Sequence, residues 1–198
     1  MKRLITFLAA TLVGALPILA QDAAKKTLPN KLPAAKMQQL RAELPAVIDK
    51  AIAALEPKVK SIVEEYAKQP AFPNQDQRLV GIWHGVSEDA TLKSFWHYER
   101  RADGTMRSEG RDLMTDSREY DDFGFDIVWM TRGRVIFEHK ASEPETIDTY
   151  LLESLEDDKI KYRIVFDDES VEAWTGESDT RGYREFPKPP VGWKKFAE

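Results

Sequence analysis

The chain has no cysteine, and its 198 residues include only three histidines, His84, His97 and His139. The first absence excludes disulfide staples and thiol chemistry. The second, with no His-x-His spacing and no thiolate to help, speaks against a metal centre. Basic residues are also outnumbered, 29 Lys and Arg against 34 Asp and Glu. A phosphate backbone needs a basic stripe, so nucleic acid is not an expected partner. No G-x-S-x-G, no glycine-rich phosphate loop and no D-x-D-x-D-G calcium loop occurs.

Only one long apolar run exists, Leu4 to Leu19, preceded by Met-Lys-Arg and followed by "ILAQD". It reads as a secretory signal peptide over residues 1–20, cleaved after Ala20. Thr6, Thr11, Gly14 and Pro17 interrupt it, whereas a spanning helix needs roughly 20 predominantly apolar residues. With no cysteine to follow, a lipoprotein anchor is excluded. Cleavage removes Lys2 and Arg3 and no acid, leaving 178 residues with 27 basic and 34 acidic side chains. The expectation is a periplasmic or secreted protein, one domain with an appendage, whose stability rests on an ordinary hydrophobic core.

Residues 21–33, "QDAAKKTLPNKLP", lack periodicity and read as a linker. Over 34–69 the apolar residues Leu40, Leu44, Ile48, Ile52, Leu55, Val59, Ile62 and Tyr66 recur at steps of three or four, one stripe of an amphipathic helical segment. Pro45 and Pro57 are expected to kink it or to start a second helix. The stripe suits packing on the flank or end of a neighbouring domain, and it would equally serve self-association through helix 34–69. "KQPAFPNQDQ", residues 68–77, ends this regime.

Beyond it, short alternating runs separated by turn residues give a mainly β chain, an antiparallel up-and-down barrel of eight or nine strands. The expected strands are 78–86, 92–101, 104–112, 123–131, 133–140, 146–155, 159–167, 170–176 and 180–186. "ADG" at 102–104 and "TRGR" at 131–134 read as hairpin turns, and "EDDK" at 156–159 and "DDES" at 167–170 as longer acidic ones. Ile160, Tyr162, Ile164 and Phe166 share one face of their strand; Phe123, Phe125, Ile127 and Trp129 share one face of theirs. Residues 111–122, rich in aspartate, read as a solvated loop or a lid over a barrel mouth. The tail 187–198 is proline-rich, and Trp193 and Phe196 are expected to dock it.

Three stretches, "GIW" at 81–83, "RADGT" at 101–105 and "RGYREF" at 181–186, together resemble a bacterial member of the lipocalin-like (calycin) group over about Arg78 to Phe186. The resemblance implies that Gly81 and Trp83 close one end of the barrel beneath an arginine of the last strand, Arg184 or alternatively Arg181. A guanidinium stacked on an indole is worth about 0.5–2 kcal/mol. With the aromatic inward faces, it also implies binding of a small apolar or amphipathic molecule, with Trp96, Tyr98, Phe125, Trp129, Tyr162 and Trp174 as lining residues. No catalytic residue, metal or cofactor is assigned.

Two other readings stand beside this one. The first is an interaction module using the helical segment. The second is a carboxylate hydrolase using Glu172, beside Trp174, or Asp148, on a face with Tyr150 and Leu152; pairing of such acids with Arg163 or Arg134 is the plainer expectation. For the histidines, register decides. Pairing Val86 with Leu92 would place His97 across from Gly81 and turn His84 and His97 to opposite faces, and a one-residue shift would reverse that.

Overall fold

The computed structural model describes residues 32–143, 146–166 and 176–196. The signal peptide, residues 21–31 of the linker, Glu172, Trp174 and most of the strand expected at 170–176 lie outside the described residues. Three helices come first: α1 (Ala34–Ala54), α2 (Pro57–Lys68) and α3 (Gln75–Leu79). Nine strands follow: β1 (Gly81–Glu88), β2 (Leu92–Arg100), β3 (Thr105–Met114), β4 (Glu119–Arg132), β5 (Val135–Lys140), β6 (Asp148–Leu155), β7 (Lys159–Ile164), β8 (Gly176–Arg181) and β9 (Lys194–Lys195). Strands β1 to β8 pair antiparallel with their chain neighbours, and β1 pairs with β8, so the sheet closes into an eight-stranded barrel. Closure leaves no free barrel edge. β9 is the extra strand, parallel to the start of β4, where β5 does not reach.

Alternation along the strands produces two cores. Residues pointing into the barrel include Trp83, Trp96, Tyr98, Ile127, Trp129, Tyr150, Leu152, Ile160 and Tyr162. Val128, Val135, Phe137 and Leu151 point outward and are fully covered by Met37, Leu40, Leu44 and Ile48 of α1 with Val59 and Val63 of α2. The helical stripe is therefore consumed within the chain, on the barrel's flank. Pro57 opens α2 at its first turn, where the missing N–H is harmless; Pro45 sits inside α1, with its carbonyl accepting from Arg132 at 3.1 Å. Among the described residues no helix is long and apolar enough to cross a membrane.

One ring around the interior shows how the sequence fits large side chains into a small barrel. Gly85, Trp96, Gly110 and Phe123 lie directly opposite one another across β1, β2, β3 and β4. A Cβ at Gly85 would sit 2.3 Å from the Trp96 ring, and one at Gly110 would sit 2.0 Å from the Phe123 ring. Each glycine makes room for the neighbouring ring.

Several expectations need correction. Residues 111–122 are not a loop: β3 and β4 form a long hairpin whose pairing continues to Met114 and Glu119, leaving a tight turn with Arg118 at φ 56°. Arg111 donates to Asp122 across the ladder at 2.6 Å and Asp112 is buried, so only the turn residues 115–118 are exposed and polarity here did not mean a solvated loop. The first strand begins at Gly81, because Gln75–Leu79 forms a helical turn that caps one end of the barrel. Phe166 leaves the inward row and packs in the helix-side core, since β7 ends at Ile164. The strand expected at 180–186 is the end of β8; beyond Arg181 the chain is irregular.

Candidate functional site

At the end capped by α3, Trp83 is fully buried and donates its indole N–H to the Leu79 carbonyl at 2.9 Å. The guanidinium over its ring, 4.2 Å from the centroid, belongs to Arg181; Arg184 is exposed. Arg181 also donates to the carbonyls of Val80 (3.1 Å), Arg78 (2.5 Å) and Asp157 (2.5 Å), tying the cap to the β6–β7 turn. The assignment of this role to Arg184 is thus replaced by Arg181. Its position on β8, directly opposite Trp83, is the reason. Arg181→Met is expected to lower stability by about 1–2 kcal/mol through the lost stacking and carbonyl contacts, and Arg184→Ala by under about 0.5 kcal/mol, as read by urea unfolding.

Above this cap the interior is polar, which the sequence reading missed. Asp179 is 1 % exposed, and its carboxylate accepts from the Trp96 indole at 3.0 Å and the Tyr98 hydroxyl at 2.7 Å, with the Tyr162 hydroxyl adding a third interaction. Beside it the Arg100 guanidinium donates to Glu138 and lies against the rings of Tyr98 and Trp129, at 4.6 and 5.6 Å. Arg100 Nε has no acceptor among the described residues. Burial pushes the Asp179 and Glu138 carboxyls above the usual range, opposed at Asp179 by the Tyr98 hydrogen bond and at Glu138 by Arg100. The signal that could have exposed this constellation is phase: Arg100 is in step with inward Trp96 and Tyr98, and Glu138 with inward Ile136.

Trp96, Tyr98 and Tyr162 line the cavity at this point; its volume is about 20 Å³, room for about one water. Trp129 borders Arg100 and donates its indole N–H to Thr105 at 3.2 Å. Phe125 is half-buried against the same core, 5.7 Å from Phe123 and under the Lys140 ammonium at 5.3 Å. These two rings lie towards the end opposite α3. There too Lys140 pairs with Asp148 at 3.2 Å, so this carboxylate is matched by a cation of the interior. Arg163 pairs with Glu153 at 2.5 Å, and Arg134 covers the Phe72 ring at 4.2 Å.

Two further inward acids titrate unusually. Asp112, hydrogen-bonded to Ser94 at 2.6 Å, is pushed up to about 6 by burial, with Asp121 directly opposite adding to the rise. Glu177 is pushed up to about 7 by burial and by Asp179. Both folded-state values exceed the unfolded ones, so the folded chain holds extra protons and stability falls as pH rises from about 4 through 7. His97 acts in the opposite sense: burial lowers its affinity for a proton, so acidification below about 6.5 costs stability. The double variant Asp112→Asn/Glu177→Gln is expected to lose much of the gain that the parent shows between about pH 8 and pH 6.5, measured as urea midpoints across that range.

The register places His84 directly opposite His97, on the outer face, so the two histidines share a face. Pairing of Val86 with Leu92 is excluded; Val86 pairs with Phe95. His97 Nε2 lies 3.6 Å from Glu109, and its ring is stacked on Phe186 and tilted against Tyr183, while His84 Nδ1 meets the Gly182 carbonyl at 3.0 Å. These contacts hold the segment after β8 across the barrel's outside. His139 is buried, with Nδ1 at 3.0 Å from the Thr146 carbonyl. Among the described residues no three His, Asp or Glu side chains are grouped to hold a metal ion. In the tail, Trp193 is half-buried, Phe196 is 45 % exposed, and β9 anchors the segment to β4.

No protein-family model matches the chain, and no curated protein matches it. What the geometry supports is a closed eight-stranded antiparallel barrel, consistent with a lipocalin-like fold.

Proposed function

We propose that this is an exported, lipocalin-like binding protein, without a catalytic step, that takes a small amphipathic molecule into its barrel. One observation carries the reading: Trp96, Tyr98 and Tyr162 converge on a buried carboxylate beside a buried Arg100–Glu138 pair. Buried charge is a poor way to stabilise a core, because apolar side chains of similar volume serve as well or better. Convergent polar groups among aromatic walls are, in contrast, what fixes a ligand's orientation.

The ligand class follows from the same residues. A purely apolar molecule would strip the water or side-chain partners from Asp179 and Arg100, whereas an amphipathic one supplies a polar end to replace them. Since the interior holds about 20 Å³, entry requires the side chains that fill the barrel to move apart. Native mass spectrometry of the exported protein, purified without detergent, tests this. A reproducible small-molecule mass on the folded monomer, weakened by Asp179→Asn, is the expected result. A bare protein mass, with no uptake of dodecylamine or dodecanoate added as probes, would overturn it.

A further inference from the structure

A second opening, separate from the barrel interior, lies between α1, α3 and the β2–β3 turn. It encloses about 290 Å³, far more than the interior cavity and close to the lower end of small-molecule pockets. Val80, Ala102 and Met130 supply apolar wall, and Arg41 of α1 reaches across from the other side.

Arg41 is not alone in burying a donor that lacks an acceptor among the described residues, since Arg78, Arg100 and Arg107 do so too, but each of those three has a carboxylate partner. Arg100, Arg107, Arg111, Arg132 and Arg163 all have carboxylate partners. Arg41 has neither a hydrogen bond nor an ion pair among the described residues, although its Nε is buried. The acids around it do not pair with it, although Asp76 is itself part of the cleft lining. Asp76, exposed at the rim, accepts from the Thr131 hydroxyl at 2.6 Å; Asp103 accepts from the Thr105 hydroxyl at 2.7 Å; Glu99 pairs with Arg101 at 2.6 Å.

The turn is shaped to hold this guanidinium stem. Gly104 has φ +80°, and a Cβ there would fall 2.0 Å from Arg41 Nε, so the side chain lies directly over the glycine backbone. That backbone is fixed in turn, since the Gly104 carbonyl accepts from the Trp129 amide at 2.8 Å. A cation held in place beside an apolar wall, with a buried donor lacking an acceptor, is complementary to a carboxylate carried on an apolar body.

We infer that this cleft is a second binding site, for a small organic carboxylate, with Arg41 as its anion partner and the Val80, Ala102 and Met130 side as the seat of the apolar body. The inference does not depend on the barrel reading. Octanoate is the probe, titrated into the full chain and followed by proton–nitrogen correlation NMR. Saturable shifts at the Gly104 and Thr131 amides and at Arg41 Nε–H, with the Trp96 indole unmoved, are expected. Arg41→Met should weaken octanoate at least tenfold, and Arg184→Ala, which removes the same charge from an exposed position, should leave it unchanged. Thermal melts of both variants check that they fold. Shifts confined to the Trp96 indole and its neighbours would place octanoate in the barrel and overturn the cleft. So would octylamine binding in the cleft more tightly than octanoate, unchanged affinity in Arg41→Met, or no response at millimolar octanoate.

Discussion

Glu138→Ala is expected to lower the unfolding free energy by about 3–5 kcal/mol, because it leaves the Arg100 guanidinium charged, buried and without its carboxylate. Arg100 and Glu138 are 5 and 6 % exposed, so solvent cannot replace the lost partner. Arg100 Nε already lacks an acceptor among the described residues, and the Tyr98 hydroxyl, which accepts from Nη1 at 3.4 Å while donating to Asp179, is neutral and cannot balance the charge. The double variant Arg100→Met/Glu138→Leu removes both charges while keeping most of the volume. It should recover the parent's stability within about 1 kcal/mol or exceed it, since apolar replacement removes the desolvation penalty of both ions. Urea unfolding of the three proteins decides. A double variant as unstable as Glu138→Ala would mean that the pair holds the barrel together, and the argument that its charges serve binding would fall. Recovery of stability with loss of the bound small molecule would separate the two roles.

Much of the architecture was written in the alternation of particular strands. Ile160, Tyr162 and Ile164 were legible as an inward face because the residues between them are charged, and Phe123, Phe125, Ile127 and Trp129 because every position of that row is large and apolar, although the opposite row also turns apolar at Val128 and Met130. The helical stripe Leu40, Leu44, Ile48 was equally plain, and its packing on the barrel's flank follows from the outward Val128, Phe137 and Leu151 that it covers. Register was not legible. The β1–β2 turn is set by Asp89, whose carboxylate accepts from the Thr91 amide at 2.7 Å and the Leu92 amide at 2.8 Å, pairing Glu88 with Lys93. Moving the pairing from Val86–Leu92 to Val86–Phe95 is an odd slip, so it reverses the face of every residue in one strand relative to the other. That is why His84 and His97 meet when they were read as apart. The interior network was hidden for a different reason. Arg100 and Asp179 sit near the ends of their strands, where a charged residue ordinarily marks a strand leaving the core; here both remain inside because the barrel continues past them to its cap.

Gly85→Val is expected to disrupt the interior severely, with a loss of about 3 kcal/mol or more from overpacking and from the broken Asp179 hydrogen bond together. A Cβ at this position falls 2.3 Å from both the Trp96 ring and the Asp179 carboxylate, so one methyl group intrudes on the donor and the acceptor of the same bond. Neither partner has room to retreat: Trp96 faces Gly110 on its other side, and the Phe123 ring already fills the space over Gly110. Gly176 provides the contrast, because no described residue lies within 4 Å of a Cβ there; Gly176→Ala should be neutral or stabilising by up to about 1 kcal/mol. Pairing Gly85→Ala with Trp96→Leu tests the mechanism, since a smaller side chain at 96 vacates the space that the new methyl needs. The double variant should be clearly more stable than the sum of the single losses implies, by about 1 kcal/mol or more in a double-mutant cycle. Additive losses would mean that Gly85 is required for its backbone and not for the ring beside it. The glycine in "GIWHG" would then say nothing about the aromatic wall, whereas coupling would make Gly85, Trp96 and Asp179 one unit, selected together to set a carboxylate inside the barrel.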